Sequence, residues 1–464
     1  MKKNVGPVRN NPIDRRAFLQ MTAGTVAGSV IVDSIGVLSG QSEKPSTPKN
    51  LRFGGPPATN PSSKPRLKVS DLQYRGMWRL PDTGNYSYAE GPLAFRYVNG
   101  QRRWLTIPRK GPYSIVEFGE PSGFGDSPDN APDMPEIRGW SGVFNITSTD
   151  ANGFVTGGLW WDQAQGVLWY TVYPFYSPNV YPFIGATRLN DDGSVTKYGM
   201  WSYAGDGSAY KQVCQWIVPI PQSAQAAAGG RSIAIGAGVV SIGAACNFGP
   251  GLLAMTLPQL GKSGMVAEGR PLMAYNSEVN ADQPDFYCKR ENDYSVIKAS
   301  DTIFNPRGTT GFWAASLDAV SGYAWIETAS LQGVLCLGRR GSGRMWYGSP
   351  DAYGDGKLVD GAQYGNGFHA EFYTPSAWVF DPEDLKAVGR GEMKPWTVAY
   401  KERANWKTLW PSIPTRPEGI HTPGGQPSTT AYDSSKQQLF WMLPLTYNPG
   451  FNRNPTVQVW NVPS

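Results

Sequence analysis

The densest cluster of residues that could do chemistry runs from Arg339 to Glu371. It combines glycine-rich turns with aromatic, acidic and basic side chains, and long insertions of this kind often form binding loops. Guanidinium, phenol and imidazole groups can hydrogen-bond to a ligand or stack on it, so we predict a ligand site here. The alternative is a solvated excursion between two strands, with the histidine hydrogen-bonded locally. The predicted ligand-binding residues are Arg339, Arg340, Tyr347 and His369.

Carboxylates in the same cluster could bind a hard cation such as Ca²⁺ through their oxygens. Asp351, Asp355 and Asp360 are the candidate ligands, although their spacing is not that of an EF-hand loop. The chain has two histidines, His369 and His421. Neither an H-E-x-x-H zinc motif nor the histidine-rich cage of a copper or haem site can be built from them. The sequence has no haem, nucleotide or flavin motif either, so the cofactor is unknown and calcium stays open.

A carbohydrate-active enzyme is a further hypothesis. Most glycosidases use a pair of carboxylates held about 5 to 10 Å apart. The catalytic candidates are Glu371, His369 and Glu327, and Glu90 and Asp162 are further acids to consider. Sequence alone does not bring any two of these side chains together. Asp162 is explained more simply as a turn residue.

The composition predicts an all-β fold that would position these side chains. The chain has 55 Gly, 39 Pro, 17 Trp and 23 Tyr, and only 17% of its residues are charged. Many turns joined to aromatic-rich strands have this composition, whereas helix-rich proteins do not. The strand pattern begins near Val69.

One hairpin is predicted with a specific turn. Two short alternating runs, Pro92 to Tyr97 and Arg103 to Ile107, flank Asn99-Gly100. Asn-Gly is the strongest short-range signal for a two-residue β-hairpin.

A second hairpin pattern recurs along the chain. A short apolar strand ends in Asp, a polar turn follows, and an aromatic residue comes seven positions after the Asp; the Asp can accept hydrogen bonds from N–H groups of the turn. The spacing of these segments predicts a β-propeller of about five to seven blades, which finishes an all-β chain without a long exposed edge. A pair of β-sandwiches is the alternative. The three copies are Asp162 with Trp169, Asp318 with Trp325, and Asp433 with Phe440.

Helices are expected only as short segments. Ser223 to Ala228 and Pro382 to Val388 are the two candidates, and Asp381 before Pro382 is a typical helix start.

The N-terminus predicts export. Arg15-Arg16 lies in a twin-arginine pattern and is followed by a weakly apolar run that is too polar for a stable membrane span. We assign residues 1–40 to a twin-arginine signal, 41–68 to a Pro- and Ser-rich linker and 69–464 to the propeller. The expected partner is the twin-arginine translocase, and the expected location is the periplasm or the outside of the cell.

The charge of the chain argues against nucleic acid as a partner. The net charge of +5 is small for this length, and no Lys/Arg-rich block marks a nucleic-acid binder.

Cys214, Cys246, Cys288 and Cys336 are widely spaced; two disulfides and four buried thiols are equally compatible with the sequence. We expect a monomer.

The segment from Asp71 to Pro81, DLQYRGMWRLP, resembles the opening "YQGAFRLP" signature of a group of secreted bacterial propeller-like proteins, most of which have no assigned function. Further matches are Gly338 to Gly343 followed by Trp346-Tyr347-Gly348, and the closing Val457 to Trp460. The chain departs from the pattern at Arg340, where the family has His. The resemblance implies a propeller, and it implies no specific activity.

These observations leave two main hypotheses for function. The first is an exported soluble propeller that binds a ligand or partner, with carbohydrate as a candidate. The second is a carbohydrate-active hydrolase or lyase that uses paired carboxylates, with or without calcium. A structural role at the cell envelope is a third possibility.

Overall fold

The alternating, aromatic-rich runs of the sequence form short strands that pair with their neighbours along the chain. The computed structural model describes residues 64–81, 92–108, 113–144, 154–174, 183–203, 216–236, 250–266, 269–274, 319–347, 368–405, 429–443 and 455–464. Their strands form five sheets, which we call blades I to V.

Each blade has four strands with the same up-and-down order. Blade I contains β2 (Leu93–Val98), β3 (Gln101–Thr106), β4 (Ile115–Phe118) and β5 (Glu136–Trp140). Blade II contains β6 (Phe154–Asp162), β7 (Val167–Pro174), β8 (Phe183–Leu189) and β9 (Val195–Tyr203), with the short β13 (Gly264–Val266) added parallel to β9. Blade III contains β10 (Trp216–Pro219), β11 (Ile233–Gly236), β12 (Pro250–Met255) and β14 (Arg270–Ala274). Blade IV contains β15 (Ala319–Glu327), β16 (Gln332–Tyr347), β17 (Phe368–Phe380) and β18 (Tyr400–Asn405). Blade V contains β19 (Thr429–Asp433), β20 (Gln438–Leu443), β21 (Thr456–Asn461) and β1 (Gln73–Arg79).

The five blades close into a ring. The first strand of each blade, β2, β6, β10, β15 or β19, contacts the first strand of the next, and β19 contacts β2. Five buried apolar clusters fill the spaces between neighbouring blades, one cluster for each adjacent pair. The predicted propeller is confirmed with five blades, and the alternative of two β-sandwiches is wrong.

The N-terminal part of the described chain completes the last blade. β1 pairs antiparallel with β21, from Gln73 opposite Asn461 to Arg79 opposite Thr456. The residues before β1 also pack onto the ring: Leu67 is fully buried between blades IV and V, and its N–H donates to the Gln332 carbonyl at 2.7 Å. The two ends of the propeller sequence therefore meet in one sheet.

Local sequence signals explain several turns. Asn99 and Gly100 adopt φ values of 51° and 77°, as a two-residue turn between β2 and β3 requires, so the predicted hairpin is confirmed. Asp162 ends β6, and its Oδ1 accepts from the N–H groups of Ala164 (2.9 Å) and Gln165 (3.2 Å). Asp433 ends β19 and accepts from the Ser435 N–H at 3.0 Å.

The third predicted copy of the Asp hairpin does not have the position within its blade that the other two copies have. Asp318 lies outside the described residues, and Trp325 lies in β15, the first strand of its blade, whereas Trp169 and Phe440 lie in second strands. The turn after β15 is built by Thr328, whose Oγ1 accepts from two backbone N–H groups, of Ser330 (3.3 Å) and Leu331 (3.1 Å). A threonine performs the role of the aspartate here, so the predicted equivalence of all three segments is wrong.

In the ranges that the structure describes, two short α-helices lie outside the sheets, at the two predicted positions. α1 spans Gln222–Gln225, and α2 spans Pro382–Arg390. Asp381 caps α2 by accepting from the Glu383 N–H at 3.0 Å, and Gly391 ends it with φ 81°. Single 3₁₀ turns occur at Val69–Asp71 and Pro395–Thr397. In the described part of the chain, no helix is long and apolar enough to span a bilayer.

Cys336 is fully buried in the apolar cluster between blades III and IV. Cys214, Cys246 and Cys288 lie outside the described residues.

A buried ion pair within blade I lies against blade II. Arg96 of β2 donates to both carboxylate oxygens of Glu117 at 2.8 and 3.0 Å, and to the Leu189 carbonyl of blade II at 3.1 Å. The guanidinium lies between the rings of Trp140 and Trp161, 5.3 and 5.2 Å from their centroids. Only 5% of the Arg96 side chain and 1% of the Glu117 side chain are exposed, so each charge depends on the other.

We predict that Glu117→Gln lowers the free energy of unfolding by about 3 kcal/mol or more, because it leaves the Arg96 charge buried without its counter-ion. Urea denaturation at pH 7 measures the change. The matched control is Asp133→Asn, which breaks the more exposed Arg79–Asp133 pair (2.8 Å) and should cost at most about 1 kcal/mol. Equal losses in the two variants would contradict the prediction.

Candidate functional site

The first strands of the five blades surround a cavity on the propeller axis. Every blade contributes three consecutive residues to its wall. They are Leu93–Phe95 of β2, Leu159–Trp161 of β6, Ile217–Pro219 of β10, Tyr323–Trp325 of β15 and Thr430–Tyr432 of β19.

One end of this cavity is formed by the turns that follow the first strands. The Tyr97 hydroxyl at the end of β2 donates to Asp433 Oδ2 at the end of β19, at 2.5 Å. Gln163, just after β6, reaches back to the Phe95 carbonyl of blade I at 3.4 Å. Ser223, shortly after β10, donates to Glu327 at the end of β15. The strand ends therefore lie together, and we call this end the hairpin face.

The wall of the cavity is mainly aromatic and apolar. Phe95, Trp160 and Tyr432 are half-buried and Pro219 is exposed, whereas Leu93, Leu159 and Ile217, farther along the strands from the turns, are buried. This difference places the mouth of the cavity on the hairpin face. The space is about 500 Å³ when counted out into the solvent at the mouth, and water can occupy about 70 Å³ of it. It can admit a few water molecules or one edge of a larger ligand.

Tyr432 gives the cavity wall a distinctive polar group. Its hydroxyl is buried and makes no hydrogen bond to any of the described residues. Burial raises the pKa of Tyr432 to about 12, and the negative charges of Asp433 and Glu327 act in the same direction. The phenol is therefore protonated at neutral pH. A buried donor without a partner is costly unless water or a ligand accepts from it.

Asp433 is the first of the two carboxylates that act on Tyr432. Its Oδ2 accepts from Arg102 Nη1 at 2.7 Å and from the Tyr97 hydroxyl, and its Oδ1 accepts from the Ser435 hydroxyl at 2.6 Å. Burial alone would raise the pKa of this carboxyl, but the hydrogen bonds from Ser435 and Tyr97 and the charge of Arg102 hold it below its usual value. Asp433 is therefore ionised and locked between blades I and V.

Arg102 anchors this network. Its guanidinium also donates to Glu120 and, at 2.8 Å, to Gln438 Oε1, and it lies 4.4 Å from the centroid of the Phe440 ring. Only 2% of its side chain is exposed.

Glu327 is the second carboxylate, and it is one of the predicted catalytic candidates. It accepts from Lys64 Nζ at 2.8 Å and from the Ser223 hydroxyl. Burial would raise the pKa of Glu327, but these hydrogen bonds and the Lys64 charge lower it. A general acid needs a raised pKa. Glu327 and Asp433 are therefore both ionised, each beside a cation, and as a pair they fit a binding site better than acid–base catalysis.

The ligand cluster predicted from sequence lies elsewhere in the fold. Arg339, Arg340 and Tyr347 lie on β16, and His369 and Glu371 lie on β17. These are the second and third strands of blade IV, whereas the cavity is walled by first strands. His369 pairs with Trp346 across the hairpin, so the backbone brings these two members of the predicted cluster side by side.

The predicted calcium ligands Asp351, Asp355 and Asp360 lie outside the described residues. Within the described ranges, no group of three His, Cys, Asp or Glu side chains is placed to hold a metal ion. Calcium binding stays a prediction.

Sequence reasoning missed the polar groups at the hairpin face. It explained Asp433 as a turn residue, which accounts for Oδ1 but not for Oδ2. A usable signal was present in blade I, where Arg96 lies inside the otherwise apolar and aromatic β2; buried arginines require counter-ions.

We predict that Asp433→Asn lowers the free energy of unfolding by about 1 to 3 kcal/mol at pH 7, because Arg102 loses its buried partner Asp433 and keeps the more exposed Glu120. The folded-state pKa of Asp433 lies below its ordinary value of 3.8, so this contribution is fully present above about pH 4 and is lost as the pH falls through the folded-state pKa. Urea denaturation from pH 7 to pH 3 should show the two proteins converging in acid. A difference that does not change with pH would contradict this account.

No family model matches the sequence, and no curated protein is significantly similar to it. Among solved structures, the chain is similar to a GH43 endo-arabinanase from Bacillus licheniformis, with 8% identity, a TM-score of 0.39 and coverage of 82% of this chain and 95% of that one. It is also similar to a GH43 β-1,3-galactosidase, with 10% identity, a TM-score of 0.31 and coverage of 83% and 94%. A member of the duf4221 family from Bacteroides vulgatus has 9% identity, a TM-score of 0.31 and coverage of 84% and 97%.

Proposed function

We propose that this chain is an exported propeller that binds a ligand at the mouth of its axial cavity, and that the ligand is a neutral sugar. The observation that carries the proposal is the buried Tyr432 hydroxyl, which has no hydrogen-bond partner among the described residues and faces a cavity walled by aromatic side chains. Such a cavity with few, fixed polar groups is the usual form of a small-molecule site.

The chemistry of a sugar matches this wall. The C–H face of a pyranose ring can lie against Phe95 or Trp160, which are half-buried at the mouth. A ring or hydroxyl oxygen of the sugar can accept from the Tyr432 hydroxyl. Because water can occupy only about 70 Å³ of the cavity, the ligand would insert one edge of a terminal sugar and leave the rest of a glycan in solvent.

A carbohydrate-active hydrolase or lyase is the second candidate function. It is favoured by the position of Asp433 and Glu327, both close enough to Tyr432 to affect its pKa. Their own lowered pKa values argue against one of them as the general acid. An enzyme would therefore need Glu371 or another acid, with His369 and a calcium site at Asp351, Asp355 and Asp360 as further proposed parts.

We predict that Tyr432→Phe weakens sugar binding about tenfold, because it removes one buried hydrogen bond to the ligand. A glycan array of neutral oligosaccharides would identify the probe, and calorimetry with the strongest binder would give Kd. The unliganded variant should be no less stable than wild type, since its hydroxyl has no partner to lose.

The matched control is Tyr198→Phe on β9, which should bind the same oligosaccharide as wild type does. If no neutral glycan binds, or if Tyr432→Phe keeps the wild-type Kd, the proposal fails. Release of new reducing ends from the bound oligosaccharide would favour the enzyme instead.

We further propose that Arg15 and Arg16 direct export through the twin-arginine translocase. Replacing both by lysine in the full chain should retain the protein in the cytoplasm, whereas wild type should reach the periplasm or the medium, as measured by immunoblotting of cell fractions. Arg9→Lys, outside the pair, is the control and should not alter export. Undiminished export of the double variant would remove the support for this pathway.

A further inference from the structure

Both carboxylates near Tyr432 lie at the ends of strands that wall the axial cavity. Glu327 is the last residue of β15, and Asp433 is the last residue of β19. Each comes within two residues of the part of its strand that lines the cavity, Tyr323–Trp325 in blade IV and Thr430–Tyr432 in blade V. The two negative charges therefore lie beside the mouth of the cavity, on the hairpin face.

The cations that pair with these carboxylates approach from farther out. Arg102 lies on β3, the second strand of blade I, and its Nη1 donates to Asp433 at 2.7 Å. Lys64 precedes a segment that bonds to the start of β16, the second strand of blade IV, where the Gln332 N–H donates to the Pro65 carbonyl at 3.0 Å. Because the first strands wall the cavity, each ion pair has its carboxylate on the axial side and its cation on the outer side.

The effect of this orientation reaches Tyr432. The charges of Asp433 and Glu327 both raise the pKa of its phenol, and no cation of the described residues counters them there. A cation at a similar distance would lower that pKa. The buried hydroxyl thus lies in a negative potential, although each carboxylate has a partner.

The other charges of the wall strands do not reverse this potential. In the first strands that the structure describes, Arg96 is the one cation, and it donates to both oxygens of Glu117 at 2.8 and 3.0 Å. Asp162 adds a third acid, at the end of β6. The ends of these strands on the hairpin face are therefore acidic.

We propose that Glu327 and Asp433 select the charge of the bound sugar. The cavity accepts a sugar whose inserted edge is neutral or carries an amine, and it rejects a sugar that carries a carboxylate, sulfate or phosphate group at that edge. This inference rests on the sugar site proposed above and adds a rule of selection to it.

The physical reason is that a charge entering the cavity loses part of its hydration while the fixed charges act on it through protein rather than bulk water. An anion loses hydration and is also repelled by the two carboxylates. An amine is attracted by them and can lie over the faces of Phe95 or Trp160, which are half-buried at the mouth. A neutral hydroxyl is affected least.

The test uses the full folded chain and three probes that differ only at C6 of a hexose: the hydroxymethyl form, the 6-amino-6-deoxy form and the uronate. Their configuration is that of the strongest neutral binder on the glycan array. Calorimetry at pH 7 and low ionic strength gives Kd for each probe. The uronate should bind wild type at least about tenfold more weakly than the neutral form, and the amine no more weakly than the neutral form.

Two variants should change the ratio of the uronate Kd to the neutral Kd in opposite directions. Glu327→Gln should lower this ratio about threefold, because it removes one of the repelling charges, and Lys64→Gln should raise it about threefold, because it removes the compensating cation. Glu327 is the carboxylate to change because Asp433 also holds Arg102. Damage to the mouth would not move the two ratios in opposite directions.

The matched control is Asp133→Asn, which removes an acid from the Arg79 ion pair and should keep the wild-type ratio. High sodium chloride should bring the ratio closer to one in wild type, since exposed charges are screened. Failure of the neutral form to bind would overturn the sugar site itself. Binding of all three probes with equal Kd, or the same ratio in Glu327→Gln and wild type, would overturn the charge selection alone.

Discussion

The fold depends on apolar burial between neighbouring blades. Each sheet has only four or five strands, and a sheet of this size must cover both of its faces with other parts of the protein. The ring provides this cover, because every blade has a neighbour on each side and five apolar clusters fill the gaps. Large side chains such as Trp104, Trp169 and Trp441 are fully buried there. No blade can leave the ring without exposing both of its apolar faces.

Buried polar groups in these gaps form hydrogen bonds and ion pairs to the neighbouring blade, so these contacts require a closed ring. Arg96 reaches from blade I to a carbonyl of blade II, and Arg102 reaches from blade I to Asp433 of blade V. A buried ion pair contributes little net stability compared with apolar packing, but separating its partners is costly. These pairs therefore discriminate against misaligned blades more than they add stability. They also fix Asp433, and through it the electrostatic surroundings of Tyr432.

Local chemistry was predictable from the sequence, and long-range register was not. The Asn99-Gly100 turn and the Asp381 cap depend on residues a few positions apart, so their sequence signals were sufficient. The pattern of Asp318 and Trp325 was assigned to the hairpin between the first two strands of a blade, but Trp325 lies in the first strand. The turn after that strand contains Thr328 in place of an Asp. The Arg102–Asp433 pair joins residues 331 positions apart. No periodic pattern encodes such a contact, so the axial cavity and its charged surroundings could not be read from the sequence.

The pairing of β1 with β21 determines when the ring can close during synthesis of the chain. Among the described strands, the first to leave the ribosome is also the one whose partner is made last. Until then β1 has an open hydrogen-bonding edge, and Leu67, Val69 and Leu72 lack the blades that bury them. Early blades can assemble in sequence as they emerge, but the ring cannot close until β21 has been synthesised. A chain shortened at its C-terminal strand would therefore leave two unpaired edges, one at each end of the break, and both would be open to other chains.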